Sequence, residues 1–198
     1  MSNSIVVEDL GQILIVRFIR PEIRNPLLLA VLDELHEILD SLKADEIMKS
    51  LIFTGQDNVF ASGANLREIA GVTADTAKEF ARRGQDLMYK IAELQQTTIA
   101  AINGYCFGGA LDLTLACEKR VASPNATFSH PGAGLGIITG WGGTQRLPRL
   151  IGQAKALEMF FTTTPVTAGE ALRIGLIDKI ANDLIAESMA NLPASCSS

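Results

Sequence analysis

Short apolar runs of strand length alternate along this chain with longer stretches whose leucines recur at helical spacing, and that alternation restricts the fold more than any other feature. Parallel strands need crossover connections, usually helical, so the pattern predicts an α/β protein. Strands are expected at Ile5–Glu8 and Ile13–Phe18 around Gly11, before Pro21 breaks the run. Asn25 is expected to cap a first helix with Pro26 at its first position and Leu28, Leu32, Leu35, Leu39 and Leu42 on its buried stripe. Ser50–Thr54 reads as a buried strand and Asp57–Gly63 as a loop. A second amphipathic helix spans Asp75–Leu94, with Phe80, Leu87, Met88, Ile91 and Leu94 on one face. Further strands are expected at Thr98–Ile102, Arg120–Ala122 and Thr127–Ser129, and further helices at Ala110–Cys117, Gln153–Phe161 and Ala168–Ile174. Asn103–Gly109 reads as a glycine turn and Gly132–Gly143 as glycine-rich; the sequence carries no internal repeat.

With 198 residues, 47% of them hydrophobic, the chain is long enough for one domain with a sizeable core. A net charge of -5 argues against a nucleic-acid or anionic-membrane surface, because both partners require a basic field. A polyanionic ligand would have to be held locally. No stretch approaches the roughly 20 apolar residues of a membrane-spanning helix, and Met1–Leu10 lacks a signal pattern, so a cytoplasmic protein is expected. Cys106, Cys117 and Cys196 have neither disulfide-framework nor zinc spacing and read as small apolar residues.

Several motifs fail on inspection. His36-Glu37-Ile38-Leu39-Asp40 approaches a zinc-binding HExxH helix but has Asp40 where the second imidazole belongs, so no metal site is expected. Gly132, Gly134, Gly136 and Gly140 have the wrong spacing for a dinucleotide fingerprint. Neither a GxSxG elbow nor a GxxxxGK[ST] phosphate loop occurs.

Two segments survive. Phe60-Ala61-Ser62-Gly63-Ala64-Asn65-Leu66 and Asn103-Gly104-Tyr105-Cys106-Phe107-Gly108-Gly109-Ala110-Leu111-Asp112-Leu113 each place main-chain N–H groups at the opening of a helix, where they have no intrahelical acceptor and the helix dipole adds positive potential. Two such donors converging on one oxygen would make an oxyanion hole.

In order, FxxGA(D/N)L, NGxxxGGxxDL and GGTQRLPRLIG resemble the enoyl-CoA hydratase/isomerase (crotonase) family from about Ile5 to Ile180. The resemblance implies a superhelix of ββα turns over 1–180, with a shortened C-terminal helical segment and a frayed tail over 181–198. It implies a homotrimer or dimer of trimers, a coenzyme A thioester as substrate and no prosthetic group. Matched residue by residue, the oxyanion donors fall on the N–H groups of Ala64 and Gly109. The thioester is expected along Ser62, Ala64 and Leu66, with Arg24 and Arg67 near the nucleotide and pantetheine.

Asp112 matches the first of the family's two acidic residues and is the candidate acid/base, expected to project toward the acyl group. Gly132 stands where the second glutamate belongs, and Gly140 where other members place an aspartate. An extended chain would put residues 130 and 132 on one face, so His130 could reach the space that Gly132 leaves, or a small anion could fill it. The expected reaction is hydration of a 2-enoyl-CoA. Enoyl- or dienoyl-CoA isomerisation, other enolate chemistry and a degenerate acyl-CoA-binding subunit remain as alternatives.

Overall fold

A computed structural model describes residues 3–44 and 49–192. Cys196 and the end of the expected tail lie outside the described residues.

The first two strands, β1 (Ile5–Asp9) and β2 (Ile13–Phe18), form an antiparallel hairpin, Ile5 opposite Phe18, and Gly11 turns between them at φ +84°. From β2 onward the sheet is parallel, through β4 (Ser50–Thr54), β7 (Thr98–Ile102), β9 (Lys119–Ala122) and β12 (Lys179–Ile180), in the order β1-β2-β4-β7-β9-β12. β4 and β7 are buried at every position, as the continuous apolar runs of central parallel strands require.

A second, shorter sheet contains β5 (Val59–Ala61), β8 (Tyr105–Phe107), β10 (Thr127–Ser129) and β11 (Val166–Thr167), in the order β11-β10-β8-β5. The two-residue strands β3 (Pro26–Leu27) and β6 (Gly63–Ala64) pair in parallel. The helices are α1 (Leu29–Ala44), α2 (Leu66–Ala70), α3 (Ala74–Ala92), α4 (Gly109–Ala116), α5 (Gly143–Ile151), α6 (Gln153–Thr162), α7 (Ala168–Arg173) and α8 (Leu184–Ala190).

Followed in sequence, a strand of the large sheet leads to a strand of a small one and then to a helix: β2-β3-α1, β4-β5-β6-α2-α3, β7-β8-α4. This is the expected spiral of ββα turns. The repeat is one of position without sequence, which is why no internal similarity reveals it.

Strand alternation divides the core in two. Leu51 and Phe53 of β4, with Ala100 and Ile102 of β7, face the main core beneath α1, α3 and α4. Ile52, Ile99 and Ala101 face the other way and join Ile15 and Val121 in a smaller cluster, against which Leu184 and Ile185 of α8 pack.

Three expectations need correction. Asn25 is no helix cap: it is buried at φ 46°, its Oδ1 accepts from the Arg20 N–H at 2.5 Å, and its Nδ2 donates to the Val59 and Phe60 carbonyls at 3.1 and 3.0 Å. Pro26 belongs to β3, and α1 opens at Leu29, whose N–H donates to the Glu68 carboxylate of α2 at 3.2 and 3.1 Å. A carboxylate from another element thus complements the positive end of the helix. The stretches expected as a loop at Asp57–Gly63 and a turn at Asn103–Gly109 contain β5 and β8, too short to show an apolar period. The GGTQRLPRLIG motif folds as α5, with Pro148 inside it.

Candidate active site

Two glycine-bearing segments meet at the heart of the molecule. Gly108 adopts φ 56° and ψ -127°, a conformation open in practice only to glycine, and this bend aims the N–H of Gly109 outward as the first residue of α4. Gly63 in β6 has φ +83° and sits so close that a Cβ there would meet the Gly109 nitrogen and lie 2.7 Å from the Phe107 carbonyl oxygen. A Cβ on Gly109 would lie 3.4 Å from the Ala64 nitrogen. No side chain separates the two segments, so the amides of Ala64 and Gly109 lie side by side.

These residues form one wall of a cavity of about 340 Å³. Ser62 and Leu66 line it as expected, and Phe80, His130 and Trp141 close other sides. Leu66, Leu135 and Ile138 are 57%, 54% and 61% exposed and mark its rim, whereas His130 and Trp141, each 3% exposed, lie deep.

Asp112 does not project into this space. It is fully buried one layer behind the wall, because the segment from Thr139 to Gly143 folds over the first turn of α4. Thr139 Oγ1 donates to Asp112 Oδ2, and Gly143 approaches the carboxylate so closely that a Cβ there would run into Oδ1, which is buried without a hydrogen-bond partner. Its other oxygen, Oδ1, lies 3.6 Å from His130 Nε2. Burial raises the Asp112 carboxyl to about 7, outweighing the Thr139 hydrogen bond and the nearby Arg146 charge.

His130 lines the cavity with its ring against Phe160, centroids 5.1 Å apart. Both ring nitrogens are buried without a hydrogen-bond partner, and burial lowers the imidazole to about 4. Asp112 and His130 are therefore both favoured uncharged by their burial.

Gly132 lines the cavity but has main chain where its own Cβ would go. Residues Pro131–Leu135 form a 3-10 turn rather than extended chain, and the Ile137 N–H closes it by donating to the Gly132 carbonyl at 3.0 Å. A Cβ on Gly132 would lie 2.8 Å from the Ile137 carbonyl oxygen. Main chain thus leaves no room for a Cβ at this position, while the glycine itself stays on the cavity wall. His130 reaches the cavity from the residue before this turn, not along a shared strand face.

The two arginines separate. Arg67 lines a neighbouring groove of about 360 Å³ with Glu68, Thr76 and Arg83, joined to the first cavity through Val72 and Phe80. Arg24 lies outside both, its guanidinium carbon 5.2 Å from the centroid of the Tyr105 ring. Cys106 and Cys117 are free and buried, and burial raises both thiols, Cys117 to about 12. Among the described residues no cluster of three or more His, Cys, Asp or Glu could hold a metal ion. The sequence pattern did not single out Trp141 as a cavity residue or the Thr139 hydroxyl; a lone Trp between glycines was the available signal.

A family model described as enoyl-CoA hydratase/isomerase matches residues 8–191. The chain is 35% identical over 179 residues to the short-chain-enoyl-CoA hydratase of Clostridium acetobutylicum, covering 90% of this chain and 69% of that protein. It is 36% identical over 179 residues to the crotonyl-CoA hydratase of Syntrophomonas wolfei, with the same coverage of 90% and 69%. The crystal structure of an enoyl-CoA hydratase from Bacillus anthracis superposes with a TM-score of 0.87 at 34% identity, over 94% of this chain and 73% of that one.

Proposed function

The chain belongs to the enoyl-CoA hydratase/isomerase family, and from that premise we propose that it is a lyase that adds water across the α,β double bond of a 2-enoyl-CoA. The observation that carries the reading is the side-by-side placement of the Ala64 and Gly109 amides on the cavity wall. In this reading both N–H groups donate to the thioester oxygen. Negative charge grows on that oxygen as the enolate forms, so aimed dipoles stabilise the transition state more than the neutral carbonyl. One such donor contributes about 3 kcal/mol.

His130 faces the acyl group and Asp112 stands behind it. Water adds its oxygen to the β-carbon and yields a proton to His130 as the π electrons move onto the α-carbon and the thioester oxygen. The pair then returns one proton to the α-carbon, which leaves the 3-hydroxyacyl-CoA and the uncharged pair restored. Asp112 Oδ1, 3.6 Å from Nε2, stands as the second member of the proton-carrying pair, and Thr139 holds the carboxylate in place.

Arg67, in the groove adjoining the cavity, supplies a cation for the phosphates of coenzyme A, and Ser62 and Leu66 flank the pantetheine. The exposed Leu157 and Phe161 of α6 offer apolar surface for a homotrimer. The reading places the protein in the cytoplasm; no helix among the described residues is long and apolar enough to cross a membrane.

The test is loss of absorbance of crotonyl-CoA and longer 2-enoyl-CoAs. Asp112→Asn keeps an acceptor for Thr139 and is expected to lose about 100-fold in kcat. Unchanged turnover would remove Asp112 from the mechanism, and tight binding without turnover by the wild type would make the protein an acyl-CoA-binding subunit. A second reading, movement of the double bond, is favoured by one observation: the site has a single carboxylate, and a single proton shuttle is all that isomerisation needs. Conversion of a 3-enoyl-CoA to the 2-enoyl isomer without net hydration would establish it.

A further inference from the structure

Trp141 is buried, yet part of its indole forms the deep wall of the acyl cavity. Two glycines make room for it. A Cβ on Gly84 of α3 would run into the pyrrole edge of the ring, and a Cβ on Gly109 of α4 would run into its benzene edge. The ring also rests against Phe80, centroids 6.0 Å apart and planes tilted by 36°. The segment that bears it is held on the first turn of α4, where Thr139 donates to Asp112 on one side and Gly143 lies against the same carboxylate on the other, which fixes the backbone beneath the side chain.

An indole held by main chain on two sides and anchored at its base has no free volume to swing into, so it acts as a rigid wall. Its position relative to the reaction is also fixed, because Gly109, against which it packs, bears one of the two amides that hold the thioester oxygen. The acyl chain therefore begins beside this wall. Its other exit is the exposed rim of Leu66, Leu135 and Ile138, where a longer chain would leave apolar surface in water.

We propose that Trp141 is a specificity-determining residue that closes the acyl cavity at its deep end and restricts the enzyme to short acyl chains. The inference rests on the acyl-CoA reading of the site and adds the class of acyl group. Side-chain volume at this one position sets the limit, while the oxyanion amides and the Asp112–His130 pair stay unchanged.

The experiment compares wild type, Trp141→Phe and Trp141→Ala in two assays. In the first, kcat/KM is measured for crotonyl-CoA and 2-decenoyl-CoA. The wild type is expected to favour crotonyl-CoA, and Trp141→Ala to shift the ratio toward 2-decenoyl-CoA by about tenfold or more, with Trp141→Phe between them. In the second, calorimetry gives Kd for the saturated butyryl-CoA and decanoyl-CoA, which needs no turnover, and the same shift is expected. Folding is monitored by circular dichroism; should Trp141→Ala fail to fold, the smaller change in Trp141→Phe carries the comparison.

A length profile that is the same in folded variants and wild type, or a wild type that already prefers the ten-carbon chain, would overturn the inference. Hydration with an unchanged profile would sink Trp141 and leave the hydratase reading standing. A shifted binding profile without hydration would do the reverse, and failure to bind either ester would remove both.

Discussion

At the scale of single residues, Asp112 and His130 are displaced from their ordinary titration in opposite directions by the same cause, burial. Asp112 titrates at about 7 in the folded protein, so the native state holds a proton that the unfolded chain has lost, and this contribution to stability fades as pH rises from about 4 to about 7. His130 titrates at about 4 when folded, so its contribution is present above about 6.5 and fades as pH falls toward about 4. Over the shared window the two slopes, each up to about 1.4 kcal/mol per pH unit, oppose one another. The wild type is expected to show a nearly flat contribution from the pair. His130→Phe should lose stability as pH is raised through this window, and Asp112→Asn should lose it as pH is lowered; denaturant titrations at several pH values read both slopes. A His130→Phe profile as flat as wild type would mean that burial does not control Asp112. Sequence could name both residues but not their depth, because three-residue spacing from Gly109 fixes a helix face and not what folds over it. Gly132 shows the same limit. A missing side chain reads as a gap, whereas the Ile137 carbonyl crowds the place of its Cβ.

At the scale of elements, the long strands and helices were legible because each buries a full period of apolar side chains. β4 and β7 are buried throughout, and Leu32, Leu35, Leu39 and Leu42 of α1 are buried as their spacing requires. The two- and three-residue strands were not, since β3, β5, β6 and β8 are held by long-range pairing that no local pattern announces. Asn25 illustrates the cost of reading locally. Its side chain joins the Arg20 turn to β5, directly before the β6 segment that bears Ala64. Asn25→Ala deletes one acceptor and two donated bonds in a buried setting and should destabilise by about 2–3 kcal/mol. Measured against urea, a loss under half a kilocalorie would show that the staple is dispensable. Activity should fall with it, because β5, which leads into β6, loses its tie to the turn.

For the molecule as a whole, the large sheet has two apolar faces and needs cover on both. The main core is packed by α1 and α3–α7, whereas the smaller cluster of Ile15, Ile52, Ile99, Ala101 and Val121 is covered by α8 and its flanks. Ser188 sits fully buried on α8 with its hydroxyl unpaired. A buried hydroxyl without a partner is a net cost, so Ser188→Ala should raise stability by about 1 kcal/mol, visible as a higher unfolding midpoint at unchanged activity. A lower midpoint would show that the hydroxyl finds a partner in solution. The spiral itself was foreseeable only through the three ordered motifs, because its turns repeat in space and not in residue type.

The contact between Gly63 and Gly109 has a consequence for how such a protein can change. In the proposed reading the oxygen-binding donors belong to the peptide backbone, so among single substitutions only proline deletes one outright, and otherwise the path of the chain must shift. Substitutions at Trp141, His130 or Gly132 can therefore retune which ester is taken and where its proton goes, while the grip on the carbonyl passes intact from one variant to the next.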